Sequence, residues 1–263
     1  MNQSANQVLL IEDSPVQAKI IQKQILALSN FETIVCNTLQ EAREALESSD
    51  RFFVAVVDLN LPDAPDGEAV DLTLESGVPT VVLTATFSEE LRQQFIQKQV
   101  ADYFFKGSIR DMDPMVRSLE RLYKNRFSTV MVVDDGLIDR SIMRQWLEIQ
   151  QFKVIDAENG VKALEKLEEN PDVSLIITDF NMPEMDGCEL VIAVRERHKM
   201  DQLPIIGVSA AGSGPLTARF LKNGANDFLT KPFEVEEFAW RVNQCMEMVD
   251  IFAELKNCYD TMK

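Results

Sequence analysis

The chain of 263 residues is poor in the residue types that mark several common classes of protein. Its only histidine, His198, lies in a hydrophilic stretch and reads as a surface residue, not as a phosphocarrier. Its four cysteines show no CxxC spacing, so we expect free thiols in a reducing compartment and no zinc site. No apolar run approaches the ~20 residues that a membrane span needs. No signal peptide is visible either, so we expect a cytoplasmic protein.

Basic residues are also scarce. The chain has 26 Lys and Arg against 43 Asp and Glu, which gives a formal net charge of −17. Binding to nucleic acid requires a basic face, so this charge argues against a nucleic-acid partner. The length suits two domains of ordinary size, each with its own core.

One pattern of acidic, hydroxyl and lysine residues occurs twice, about half the chain apart. Each member closes a short apolar run, and the two copies are Glu12, Asp13, Asp58, Thr84 and Lys106, then Asp134, Asp135, Asp179, Ser209 and Lys231. Such self-similarity predicts two domains with the same kind of site. We place these domains at residues 1–126 and 127–248, followed by a C-terminal helical extension at residues 249–263.

Short β-branched apolar runs alternate with amphipathic stretches in both halves. The runs are residues 8–11, 33–36, 53–57, 80–83 and 103–105, then 130–133, 153–155, 175–178, 205–208 and 228–230. They predict strands buried on both faces of a parallel sheet, and the stretches between them predict helices. In the first helix, Ser14 is the expected N-cap and Pro15 the first helical residue. The chain is therefore expected to fold as two (βα)₅ doubly wound, flavodoxin-like α/β units in tandem.

The repeated polar residues should meet at one edge of each sheet, because ligands of such sheets bind outside the carboxyl ends of the strands. Carboxylates gathered there repel one another, and a divalent cation with hard oxygen ligands, Mg²⁺, relieves that repulsion. A lysine and a hydroxyl beside them suit a phosphoryl group. One of the carboxylates can then act as a nucleophile and become an aspartyl phosphate.

These residues resemble those of the receiver (CheY-like) domains of bacterial two-component response regulators. The second copy carries Asp179-Phe-Asn-Met-Pro183, Ser209-Ala210 and Lys231-Pro232-Phe233, and the resemblance spans residues 8–125 and 129–248. It implies a domain that accepts phosphate from a histidine kinase or a phosphotransfer protein.

The resemblance also assigns roles within each copy. Asp58 and Asp179 correspond to phosphoacceptors, Thr84 and Ser209 to hydroxyls that bind the phosphoryl group, and Lys106 and Lys231 to its charge partners. The implied Mg²⁺ ligands are Glu12, Asp13, Asp58 and Asn60 in the first copy, and Asp134, Asp135, Asp179 and Asn181 in the second. The aromatic switch residues are Tyr103 and Phe228, for which ordinary core packing is the alternative. The readout surface is the face formed by helix 4, strand 5 and helix 5.

The first copy departs from the family pattern more than the second. It has an extra residue between Pro62 and Gly67 and a shorter gap from the acceptor to the hydroxyl, which predicts a shorter third helix. Gly107 follows its lysine where the family has a proline. We therefore rank the second copy first for phosphorylation and treat the first as competent too.

The last helix should begin near Glu234, with no stop signal before Lys263. Phe238, Val242, Cys245, Val249, Phe252 and Tyr259 recur along it at a 4,3 spacing, interrupted by Lys256. The chain thereby resembles the regulatory half of receiver–receiver diguanylate cyclases. This predicts homodimerisation through the helix or the receiver face, or connection to an output domain beyond Lys263. The alternative is an extension packed against its own domain.

Three functions remain open from the sequence. The first is a phosphoacceptor module that catalyses only its own phosphorylation and dephosphorylation, since no GGDEF-like motif is present. The second is a Mg²⁺-dependent aspartyl phosphohydrolase, which would need an Asp where Asn60 and Asn181 stand. The third is a scaffold of receivers that signals without phosphate.

Overall fold

The computed structural model describes residues 6–48, 52–107, 112–210 and 214–261. The chain divides into two compact units, Met1–Lys124 and Asn125–Lys263. The boundary thus lies two residues before the one expected from the sequence. No helix in the described part of the chain is long and apolar enough to cross a membrane.

Strands and helices alternate throughout the first unit. Its elements are β1 (Gln7–Ile11), α1 (Pro15–Leu28), β2 (Glu32–Cys36), α2 (Leu39–Ser48), β3 (Phe52–Asp58), α3 (Glu68–Glu75), β4 (Thr80–Thr84), α4 (Glu89–Lys98), β5 (Asp102–Phe105) and α5 (Asp113–Asn125). The five strands pair in parallel in the order β2-β1-β3-β4-β5.

The second unit repeats this order. Its elements are β6 (Thr129–Val133), α6 (Leu137–Ile149), β7 (Lys153–Ala157), α7 (Gly160–Glu169), β8 (Val173–Asp179), α8 (Gly187–Arg195), β9 (Ile205–Ser209), α9 (Gly214–Lys222), β10 (Asp227–Thr230) and α10 (Val235–Thr261). Its sheet runs β7-β6-β8-β9-β10, also parallel, so the predicted pair of doubly wound units is confirmed.

The central strands are buried on both faces, as the continuous apolar runs predict. Every residue of β3, β4, β6 and β9 is buried. Every predicted strand is present with its ends shifted by two residues at most. Parallel strands covered by helices on both sides lose all contact with water, which is why their sequences do not alternate between polar and apolar residues.

Local signals fix the ends of several helices. Ser14 caps α1, where its hydroxyl accepts a hydrogen bond from the Gln17 amide at 3.4 Å. Asp186 caps α8 in a capping box with Glu189.

The shorter spacing in the first unit arises mainly after the third helix, not within it. Helix α3 has 8 residues and α8 has 9, so the predicted shortening is a single residue. The chain between helix and next strand is residues 76–79 in the first unit and residues 196–204 in the second. The difference therefore lies on the surface away from the carboxyl ends of the strands.

Helix α10 continues well past the body of the second unit. Phe238, Val242 and Cys245 are buried in its core, whereas residues 251–261 are exposed throughout. The alternative of an extension packed against its own domain is thus wrong for this last part of the helix.

Candidate functional site

Three acidic side chains converge at the carboxyl edge of the first sheet. Glu12 and Asp13 follow β1, and Asp58 ends the neighbouring β3. Each supplies a carboxylate oxygen, and these oxygens lie within 4.8 Å of one another. Glu12 and Asp58 are buried and Asp13 is half-buried, so the cluster opens to solvent on one side.

Lys106 neutralises part of this charge. It follows β5, and its Nζ lies 2.6 Å from Glu12 Oε2 and 2.6 Å from Asp58 Oδ2. Its side chain is only 8% exposed, so the ion pairs are shielded from water. Buried charges are tolerated when they are paired in this way.

Burial still dominates the ionisation of Glu12. Desolvation raises the pKa of this carboxyl, and the repulsion of Asp58 adds to the rise, while the hydrogen bond and charge of Lys106 oppose it. Keeping Glu12 ionised in this buried position is therefore unfavourable, and a further cation beside it would stabilise the carboxylate.

The second unit places its lysine in the same position but surrounds it differently. Lys231 Nζ lies 2.8 Å from Asp134 Oδ2, 3.2 Å from Asp179 Oδ1 and 2.5 Å from Asp139 Oδ2. Asp135 is exposed. Among the described residues, no group of three acidic side chains in this unit converges as closely as the first unit's.

The electrostatics of the second site follow from these contacts. Burial raises the pKa of Asp179, and Asp134 raises it further, against the opposing charge of Lys231. Burial lowers the pKa of Lys231, but the hydrogen bonds to Asp134 and Asp139 outweigh this effect and raise it overall. Lys231 thus remains a cation among carboxylates.

Two residues of these sites were missed by the sequence analysis. Asp139 contacts Lys231, and the equivalent Gln17 contacts Lys106 through Oε1 at 3.3 Å. Each is the fourth residue after its acidic pair and lies in the first turn of the helix that follows. That position is a signal that could have identified both, because the first turn starts at the sheet edge that carries the site.

The two hydroxyl residues end the strand beside the acceptor strand. Thr84 and Ser209 are buried, and the Thr84 hydroxyl donates to the Thr86 carbonyl at 2.8 Å. The Lys106 amide donates to the Thr84 carbonyl at 2.8 Å, and the Lys231 amide donates to the Ser209 carbonyl at 2.9 Å. In each unit the hydroxyl and lysine positions are therefore tied by the same backbone hydrogen bond.

The two aromatic residues differ in burial. Phe228 is 8% exposed and packs on Phe220, with ring centroids 5.6 Å apart. Tyr103 is half-buried and stacks on the exposed Phe87 with centroids 6.3 Å apart. Phe228 is thus a core residue in this conformation, whereas Tyr103 lies at the margin of its core, where its ring also packs on the buried Phe95 with centroids 5.3 Å apart.

Asn60 and Asn181 lie directly beside the acceptors. The Asn60 amide donates to Asp58 Oδ1 at 3.3 Å, and the Asn181 amide donates to Asp179 Oδ2 at 2.8 Å. Each aspartate carboxylate is therefore oriented by a hydrogen bond from the backbone N–H of the residue two positions later in the chain. The donor set of carboxylate oxygens, with backbone carbonyls nearby, is of the hard kind that suits Mg²⁺.

A peptide bond in the cis form joins Lys231 to Pro232. In the first unit Lys106 is followed by Gly107, as the sequence requires.

Comparison with known proteins agrees with this geometry. Residues 130–243 match the family model of the response regulator receiver domain. The two-component response regulator ORR5 of Oryza sativa subsp. japonica is 40% identical over 105 residues, which are 40% of this chain and 78% of that protein. The chemotaxis protein CheY1 of Helicobacter pylori is also 40% identical over 105 residues, which are 40% of this chain and 85% of that protein.

Two solved structures resemble the chain over most of its length. Each is described as a two-component system response regulator/GGDEF domain protein and is 40% identical in sequence. The TM-scores are 0.87 and 0.86, and each comparison covers 93% of this chain and 99% of the other.

Proposed function

The chain belongs to the two-component response regulators with receiver domains, and on this premise we propose that Asp58 and Asp179 each accept a phosphoryl group. The donor is a histidine kinase or a phosphotransfer protein, and the reaction depends on Mg²⁺. One observation carries the proposal. In both units a lysine ammonium contacts the carboxylate that ends the third strand and an acidic side chain that follows the first strand.

Magnesium would be held by the acidic cluster of each unit. In the first unit its ligands are Glu12, Asp13, Asp58 and the backbone carbonyl of Asn60. In the second they are Asp134, Asp135, Asp179 and the carbonyl of Asn181. When bound, the cation neutralises charge that builds up on the transferring phosphoryl oxygens.

The protein's own groups supply the nucleophile and its surroundings. A carboxylate oxygen of the aspartate attacks the phosphorus of the donor's phosphoimidazole, an O–P bond forms and the P–N bond breaks. The imidazole leaves with the electron pair of that bond and takes up a proton. The lysine beside the aspartate then pairs with the new phosphoryl oxygens.

The added charge also provides the switch. A phosphoryl group brings about −1.5 to −2 charges to the sheet edge and attracts the lysine and the Thr84 or Ser209 hydroxyl. In the first unit that hydroxyl must leave the Thr86 carbonyl, which shifts the loop after β4. Tyr103 and Phe228 follow this shift and alter the face formed by the fourth helix, fifth strand and fifth helix of each unit.

The exposed end of α10 would carry the signal onward. It presents Met248, Phe252, Leu255 and Tyr259 to solvent at a 4,3,4 spacing, which is the pattern of a coiled-coil seam. We assign it to a homodimer or to the connection with a GGDEF-type output domain beyond Lys263. The described residues themselves carry no output activity in this proposal.

Intact mass spectrometry tests the acceptor sites directly. Incubation with Mg²⁺ and phosphoramidate should add up to two phosphoryl groups that base and hydroxylamine remove, as expected for an acyl phosphate. Asp58→Asn and Asp179→Asn should each remove one addition, and the double variant should remove both. The same incubation with EDTA is the control and should give no addition.

Other results would favour the other functions. No mass gain under any condition would favour a scaffold that signals without phosphate. Continuous release of phosphate from an external phosphomonoester would favour a phosphohydrolase.

A further inference from the structure

The two sites differ in the third partner of the lysine. Gln17 and Asp139 hold the same position, in the first turn of α1 and α6, and both reach the ammonium of their unit. Gln17 offers a neutral amide oxygen at 3.3 Å, whereas Asp139 offers a carboxylate at 2.5 Å. The two sites thus share the same arrangement around the lysine, except that a neutral side chain in the first unit is replaced by a negatively charged one in the second.

The negative charge of Asp139 affects how well Lys231 can bind a phosphoryl group. An ammonium has three N–H donors, and the Lys231 ammonium has three carboxylate partners. Of these contacts Asp139 makes the shortest and Asp179 the longest. The ammonium is therefore drawn toward α6, away from the carboxylate that would carry the phosphoryl group.

In the first unit the same movement is less hindered. Lys106 lies 2.6 Å from both Asp58 and Glu12, and its third partner, on α1, is the neutral amide oxygen of Gln17 at 3.3 Å. Giving up that amide breaks no charge pair, whereas giving up Asp139 does. The Asp139 side chain is 47% exposed, so it can turn to water once the ammonium leaves.

We propose that Asp139 is a positioning residue that competes with the phosphoryl group for Lys231 and so weakens phosphoryl binding at Asp179. Gln17 is neutral and does not compete in this way. For this reason the first receiver binds phosphoryl groups and their mimics more tightly than the second receiver does. The proposal deepens the proposed function, since it requires Asp179 to be a phosphoacceptor.

The test uses the full chain with one acceptor removed at a time. In the Asp58→Asn background, Asp139→Gln should raise the rate of phosphorylation of Asp179 by phosphoramidate about threefold, the scale of a partly exposed charge pair. Beryllofluoride, a non-covalent phosphoryl mimic, should bind tighter by a similar factor, as measured by ¹⁹F NMR with Mg²⁺. Asp139→Glu keeps the charge and should leave both quantities near their starting values.

The reciprocal change supplies the matched control. In the Asp179→Asn background, Gln17→Asp should slow phosphorylation of Asp58 and weaken beryllofluoride by about threefold. A merely structural disturbance would lower both quantities in both units, so opposite signs identify the charge as the cause.

The outcomes separate the two proposals. Unchanged rates and affinities in Asp139→Gln, with Asp179 still phosphorylated, would overturn the role of Asp139 and leave the acceptor role intact. No phosphorylation and no beryllofluoride binding at Asp179, with or without the Asp139 change, would overturn both.

Discussion

Burial raises the pKa of several carboxyl and thiol groups in the two units. Desolvation raises the pKa of Glu12 and of Asp179 although a lysine contacts each of them. The same effect acts on the thiols. Burial raises the pKa of Cys36 to about 11 and that of Cys245 to about 12, and it also raises the pKa of Cys188. Cys258 is exposed on α10.

Thiol reactivity should therefore single out one of the four cysteines. The thiolate is the reactive form, and a raised pKa leaves less of it at pH 8. We expect one rapid equivalent with Ellman's reagent in the native protein and four in denaturant. Cys258→Ser should abolish the rapid phase, and two or more rapid equivalents in the native protein would contradict the burial of the others.

At the scale of strands and helices, the position of each site can be predicted from the polar residues at the ends of the apolar runs. Asp58, Thr84 and their counterparts Asp179 and Ser209 could be placed because a polar side chain that closes a buried strand must lie at the sheet edge. The order of the strands then brings the edges of β1 and β3, or of β6 and β8, side by side. These positions can be predicted from the alternation of apolar strands and amphipathic helices along the chain.

Side-chain direction on the flanking helices could not be predicted in the same way. Whether Asp139 or its neighbours face the lysine depends on the tilt of α6 and on where its first turn begins, which periodicity fixes only to within a residue or two. The same uncertainty applies to Asp135, which follows β6 as Asp13 follows β1 but is exposed. The sequence ranks the second copy first for phosphorylation, whereas the closest acidic convergence lies in the first.

Gly187, the first residue of α8, packs closely against the end of β8. A Cβ at Gly187 would overlap the carbonyl oxygen of Asp179 and press on the Phe220 ring at 2.9 Å. Because the backbone cannot yield easily there, Gly187→Ala should destabilise the second unit by about 1–3 kcal/mol. Urea unfolding followed by tryptophan fluorescence measures this, since Trp146 and Trp240 both lie in that unit.

Arg197→Ala is the control for Gly187→Ala. Arg197 follows the same helix, and its pair with Glu168 is exposed on both sides, so its loss should change the free energy of unfolding by less than about 1 kcal/mol. Equal unfolding midpoints for Gly187→Ala and the parent protein would show that α8 can move away from β8 without cost.

At the scale of the whole molecule, α10 changes character along its length. Its first part completes the core of the second unit, and its last part exposes apolar side chains that its own unit does not cover. Met248, Phe252, Leu255 and Tyr259 are 53%, 46%, 60% and 63% exposed. This register avoids Lys256, which interrupts the stripe read from the sequence, and therefore suits a helix–helix seam better.

A charge placed on that seam should prevent self-association. Leu255→Glu puts a carboxylate between the apolar positions Phe252 and Tyr259, where a second helix would have to desolvate it. We expect the dimer formed with Mg²⁺ and beryllofluoride to weaken at least tenfold in sedimentation velocity, since the change removes a buried leucine and adds a charge at its place. Asn257→Glu adds the same charge two residues on, on the opposite side of the helix, and should leave the dimer intact. If the two variants behave alike, or if the parent protein stays monomeric with the mimic bound, the exposed stripe of α10 serves a partner other than a second copy of this chain.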